Sequence, residues 1–153
     1  MARYAATVTS QHPAADTFSY LATFTNTADW DPGVISAEQL DSGPVEPGTR
    51  FRLVVPFLGR CLPLTYQVIT LVPGREIVLA ASSRLLRATD RILVDPAAGG
   101  ATVSYQADVR LRGPLALLDT LLRPGFRAVG QRAAAGLAHA LATPWVTHQA
   151  PQP

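Results

Sequence analysis

The stretch from Thr102 to Arg112 alternates polar and apolar residues without a break and runs straight into a long Leu/Ala-rich segment. Val103, Tyr105, Ala107, Val109 and Leu111 share one side, while Thr102, Ser104, Gln106, Asp108, Arg110 and Arg112 share the other. A period of two is that of a strand with one buried and one solvated face. Gly113-Pro114 ends the strand, and helix-forming residues follow to Ala142, just before Pro144. Pro124 lies inside that segment, where a missing N–H and a clash with the preceding turn oppose helix. The expectation is a short helical piece from Leu115 to Leu122, a kink, and a helix from Phe126 to Ala142, roughly 25 Å long at ~1.5 Å per residue. The last strand is roughly 33 Å long at ~3.3 Å per residue, so the helix can cover most of a sheet. A curved sheet gripping a terminal helix often leaves a hole between them, and that hole is where function would sit.

The rest of the chain supplies the sheet. Tyr4 to Ser10 alternates and reads as a first strand. Pro13 and Asp16 suit the opening turn of a helix that carries Phe18, Leu21 and Ala22 on one face and ends near Phe24. Asn26 to Gly33 reads as a second helical turn closed by Asp31-Pro32-Gly33. Strands are then expected at Val34–Leu40, Arg50–Phe57, Leu62–Val72, Glu76–Ser82 and Leu86–Val94, separated by turns such as Glu46-Pro47-Gly48 and Pro73-Gly74. This spacing suits an antiparallel meander.

The length of 153 residues fits one domain, placed at 1–143, followed by a frayed tail at 144–153. Apolar residues make up 48%, enough for a core. Charged residues make up 16%, below the ~25% usual for soluble domains, which implies extra apolar surface on a partner patch or inside a cavity. All 13 basic residues are arginine, in keeping with a GC-rich coding bias. They are scattered and not interleaved with aromatics, which argues against nucleic-acid binding. Cys61 stands alone, so no disulfide framework or cysteine metal cluster is expected, and it reads as a buried small hydrophobe. No signal-peptide pattern opens the chain and no apolar run reaches ~18 residues, so a cytoplasmic protein without a membrane span is expected.

Catalytic signatures are missing: the sequence has no nucleophile elbow, phosphate-binding glycine loop or dinucleotide fingerprint. His12, His139 and His148 lack metal-ligand spacing, so no cofactor or metal is expected. Some single residues stand out. Asp90 shares a side with Ala88, Ile92 and Val94. Facing a cavity, its carboxyl would have a raised pKa and serve as acid or base; at the rim, it would pair with an arginine. Tyr66 and Tyr105 sit on apolar faces, either as core tyrosines bonded to backbone or with hydroxyls in a cavity. Trp30 reads as a plug of the core or as a wall of the mouth. Gly136 costs the last helix ~1 kcal/mol, which implies either close packing or room for a ligand. Arg132 and His139 flank the same helix, on solvent or at a rim.

Three local sequences carry a resemblance. They are Ala28-Asp29-Trp30-Asp31-Pro32-Gly33, the stretch from Val68 through Pro73-Gly74-Arg75, and Gly100-Ala101-Thr102-Val103-Ser104-Tyr105. Together with the element order and the closing Leu111-Arg112-Gly113-Pro114-Leu115, they resemble the polyketide cyclase/dehydrase and lipid-transport superfamily in its bacterial, START-like form, over about Ala5 to Leu141. The resemblance implies an α+β helix-grip fold: a curved seven-stranded antiparallel sheet around a long C-terminal helix, with a ligand cavity between. It brings no shared catalytic triad. On this fold the expected lining comes from Trp30, Phe51, Leu53, Val55, Leu64, Tyr66, Val68 and Leu79, with Asp90, Ile92, Tyr105, Ala107 and Val109 from the last strands. The helix would add Phe126, Val129, Ala133, Gly136, Leu137 and Ala140. The expected partner is a small hydrophobic molecule, lipid-like or polyketide-like, held by a monomer or homodimer. One alternative is a cyclase or dehydratase in which Asp90, Tyr105 and Tyr66 act as the catalytic groups. Another is a protein-interaction module presenting the Leu115–Leu122 segment.

Overall fold

The computed structural model describes residues 2–145. Seven strands form one antiparallel sheet: β1 (Ala2–Ser10), β2 (Ser36–Gln39), β3 (Arg50–Phe57), β4 (Arg60–Val72), β5 (Glu76–Ser82), β6 (Leu86–Ala97) and β7 (Gly100–Leu111). Their order across the sheet is β1-β7-β6-β5-β4-β3-β2. Strands β2 to β7 are therefore successive neighbours, and β1 returns to pair with the last of them. Between β1 and β2 lie α1 (Ala14–Ala22), a 3₁₀ turn (Phe24–Asn26) and α2 (Thr27–Trp30). After β7 a second 3₁₀ turn (Gly113–Leu118) leads into α3 (Asp119–Ala142). The register slips between Val68 and Thr70 of β4. Such a bulge bends a strand and adds twist, which helps a long strand follow a curved sheet.

The alternation seen in the sequence sets the inner face. Leu86, Ala88, Asp90, Ile92 and Val94 of β6 are buried, and their neighbours in sequence point outward. Helix α1 covers β6 and β7, while α3 packs mainly on β1 and also meets α2 and β7. The buried residues of α3 are Ala133, Leu137 and Leu141, all in its C-terminal half. Small residues let the helix sit down from its middle onward. A Cβ on Gly136 would collide with the Trp30 carbonyl oxygen, and one on Gly130 would collide with the Tyr4 ring. Of the two readings open for Gly136, the structure shows close packing.

Helix α3 corrects one expectation. It runs unbroken through Pro124, and the boundary falls instead at Leu118–Asp119, where 3₁₀ turns into α. Thr120 and Pro124 are both exposed, so water can satisfy the carbonyl that Pro124 leaves without a donor. Cys61 is exposed at the start of β4, not buried. The tail expected from 144 begins with a docked residue: Trp145 stacks on His12 and Tyr20, and its Nε1–H donates to the Ala140 carbonyl. The remainder of that tail, with His148, lies outside the described residues. Among the described residues no helix is long and apolar enough to cross a membrane.

Gly125 and Gly136, two of the three glycines of α3, differ in a way denaturation can read. Nothing lies within 4 Å of a Cβ built on Gly125. Gly125→Ala is expected to raise stability by ~0.5–1 kcal/mol through helix propensity. Gly136→Ala is expected to lower it by ~1–3 kcal/mol, because the backbone carbonyl it meets cannot move aside cheaply. Urea melts of both variants check this; equal shifts would mean that α3 does not sit on Trp30.

Candidate functional site

The strands fill one end of the sheet and leave the other open. At the filled end, Phe24, Phe51, Val68, Ile77, Leu79, Ile92, Val94 and Val103 are all but inaccessible. At the other end lie the start of β1, the end of β3, the starts of β4 and β6, and the end of β7, which antiparallel pairing brings side by side. There residues of the strands and of α3 together line a cleft of about 760 Å³. Leu53, Val55, Phe57 and Leu64 form one wall. Ala88, Ala107 and Val109 line the sheet side, and Phe126, Val129 and Ala133 form the roof.

Polar groups gather at the buried floor. Asp90 sits on β6 opposite Ala107, and Tyr105 is the diagonal neighbour on β7. The Tyr105 hydroxyl donates to Asp90 Oδ2 over a long 3.3 Å. Tyr66, from β4, lines the same space, and its hydroxyl has no hydrogen-bond partner among the described residues. Helix α2 contributes Thr27, and the residue after the helix contributes Asp31; they are four apart and therefore on one face. The Asp31 carboxylate accepts the Gly33 N–H at 2.7 Å, while Thr27 Oγ1 is buried without a partner. A buried hydroxyl left unsatisfied costs ~1–3 kcal/mol, so its placement beside a cleft calls for a polar atom there.

Burial dominates the electrostatics. It pushes the Asp90 carboxyl up to about 7; the Tyr105 hydrogen bond pulls against this, and Asp31 and Asp108 add to it. Asp31 is raised by burial too, with the Gly33 N–H opposing. Tyr66 and Tyr105 are held well above the usual phenol range, first by burial and then by the nearby Asp90. A carboxyl that titrates near neutrality can both give and take a proton. Two phenols beside it that stay protonated can donate hydrogen bonds to an oxygen.

The cations belong to the exposed part of the lining. Arg3, Arg123 and Arg127 line the cleft and are exposed. Arg3 is engaged by Asp108 at 2.7 Å. Arg123 and Arg127 have neither ion pair nor hydrogen bond among the described residues.

A family model described as polyketide cyclase/dehydrase and lipid transport matches residues 1–142. The chain belongs to this family. No curated protein matches it by sequence. Among solved structures it resembles the ZhuI aromatase/cyclase from Streptomyces sp. R1128, at 20% identity and a TM-score of 0.70, covering 91% of this chain and 90% of that one. A START superfamily protein from Mycobacterium smegmatis superposes with a TM-score of 0.74 at 15% identity, covering 91% and 96%. A di-domain aromatase/cyclase of the steffimycin pathway, StfQ, matches at 16% identity and a TM-score of 0.65 over 92% of this chain and 50% of its own. At these identities the likeness carries the fold, the helix-grip architecture, and not what each protein acts on.

The family fold brings some of the expected site residues together and leaves others elsewhere. Leu53, Val55, Leu64, Tyr66, Asp90, Tyr105, Ala107, Val109, Phe126, Val129 and Ala133 border the cleft. Phe51, Val68, Leu79, Ile92 and Leu137 are packed in the filled part of the core. Trp30 stands behind the site: it is buried, edge-on to Tyr105 at 5.9 Å, and acts as a plug. Gly136 and Ala140 belong to the close-packed half of α3. Asp90 meets Tyr105 where an arginine partner was the alternative. Arg132 and His139 are exposed on the flank of α3. His12 stacks on Trp145 and is within 3.0 Å of the Thr143 carbonyl through Nε2. No group of three potential metal ligands occurs among the described residues. Sequence reasoning missed Thr27, Asp31, Arg123 and Arg127. The four-residue spacing of each pair was the one signal available, and it says nothing about what the pair faces.

Proposed function

We propose that this protein binds a small, largely apolar molecule that carries an oxygen function, in the cleft between the open end of the sheet and α3. The carrying observation is an apolar-walled hollow of about 760 Å³ that ends on buried hydrogen-bonding groups with capacity to spare. Its size is that of a ligand site, in the range of ~300–1,000 Å³. Binding would be driven by burial of apolar surface at ~25 cal/mol per Å². Thr27 and Tyr66 would then fix the orientation by hydrogen bonds. The exposed thiol of Cys61 suits a reducing compartment, and we place the protein in the cytoplasm on that ground.

A bulky residue on the floor tests the site. Ala107→Trp fills space that the fold leaves free, so the protein is expected to fold while its affinity for an apolar fluorescent probe falls at least ~30-fold, through loss of most of the buried contact. Native mass spectrometry of freshly purified protein should show a co-purified small molecule in the wild type and none in the variant. Probe affinity equal in both would rule the cleft out.

The Asp90–Tyr105 pair favours a second reading, catalysis in the same cleft. The walls would hold a reactive polyketide-like chain folded for ring closure, mostly a gain of proximity and orientation. Asp90 would take a proton from a carbon between two carbonyls, and Tyr66 or Tyr105 would donate to the developing enolate oxygen. On this reading Asp90→Asn lowers turnover of the true substrate ~10²–10⁴-fold with little change in binding. Unchanged turnover removes Asp90 from the chemistry.

A further inference from the structure

Building on the binding reading above, we infer that the ligand is an amphipathic acid, bound with an oxygenated end on the Thr27–Tyr66–Asp90 floor and a carboxylate at the mouth between Arg123 and Arg127. The two arginines lie one helical turn apart on α3 and both face the cleft. Like charges at this spacing repel each other, and neither has a partner among the described residues. The remaining cation of the lining, Arg3, is engaged by Asp108. The floor has the opposite character: Asp90 is buried and Asp31 partly buried there, whereas every arginine of the lining is exposed. An anionic group there would give up its water beside two carboxyls, with no cation to pair with, whereas the arginines offer pairing without burial. Orientation is therefore fixed by charge: a ligand that bears an acid must enter with its neutral, oxygenated end first and leave the acid outside. The guanidinium fork suits a carboxylate, which it can grip with two parallel N–H donors. The apolar walls between the two ends demand a body without charge, a ring system or a short chain.

The test uses the full chain and two probes: a hydroxynaphthoate with hydroxyl and carboxylate at opposite ends, and its neutral carboxamide. Fluorescence titration at low salt should give the acid about five- to tenfold tighter binding than the amide, the sum of two partly exposed charge contacts. Raising the salt to about 0.5 M should shrink that advantage, as screening reaches exposed pairs first. In the Arg123→Gln/Arg127→Gln double variant the acid should bind no better than the amide. The amide should weaken far less than the acid, and a urea midpoint close to that of the wild type shows that the variant is folded. If acid and amide bind the wild type equally, or if the double variant keeps the preference, the inference fails while the cleft stands. If neither probe binds the wild type, the binding reading itself falls.

Discussion

Replacing Asp90 by asparagine is expected to make the protein more stable at pH 8 by a few kcal/mol and to leave it nearly unchanged at pH 4. An aspartate in an unfolded chain titrates near ~3.9. In the fold the Asp90 carboxyl keeps its proton up to about 7, because burial disfavours the charged form. Between these values the native state holds a proton that the unfolded state has lost. Stability therefore falls as pH rises through that window and levels off above it. At ~1.4 kcal/mol per pH unit the full loss is about 4 kcal/mol. Asp31, raised by burial on the same floor, slopes the same way, so the variant should keep a shallower decline. Asparagine cannot ionise, and its side-chain oxygen can still accept the Tyr105 hydroxyl. Urea denaturation of both proteins at pH 4, 6 and 8 measures the effect. Parallel profiles would mean that the Asp90 carboxylate is not strained by its surroundings. The expected gain also bears on function: the fold alone is better served by an amide at this position, and what the acid adds is a proton that moves near neutral pH.

The sheet was legible because period-two alternation depends only on which side of a strand is wet. The bounds of β3 and β5 follow directly, and the inward set on β6 carries Asp90 to the inner face by parity. Parity does not say which end of a sheet is filled, and that is why Phe51 and Val55, equivalent in pattern, differ in surroundings. The difference comes from α3, which is seated on Trp30 at Gly136 and borders the cleft at Phe126. That seating depends on contacts between Trp30 and Gly136, far apart in the chain, and leaves no periodic trace. Thr27 and Asp31 escaped for the same reason: as turn residues they were read for their backbone role, and only the packed fold shows which groups they face. Pro124 was misread because the rule against proline in helices assumes a carbonyl with no other partner, whereas this turn is bathed in water.

Truncating two phenylalanines of equal size should separate the filled end from the hollow one. Phe51 is wholly buried, its ring T-shaped to that of Phe24 with centroids 5.8 Å apart and Tyr66 opposite in the register. Phe51→Ala would leave a void that rigid neighbours cannot close, and the expected loss is about 3–5 kcal/mol. Phe126 is half-buried and borders the cleft. Its truncation enlarges a hollow that already exists and already meets solvent, so only part of the transfer free energy is lost and no new cavity forms. The expected loss is about 1 kcal/mol. Urea midpoints of the two variants give the ratio directly. The same pair should reverse in a binding assay, where Phe126→Ala weakens an apolar probe severalfold because it removes a roof contact. Equal destabilisation by both would mean that α3 closes onto the sheet in solution, with no space between them for a ligand.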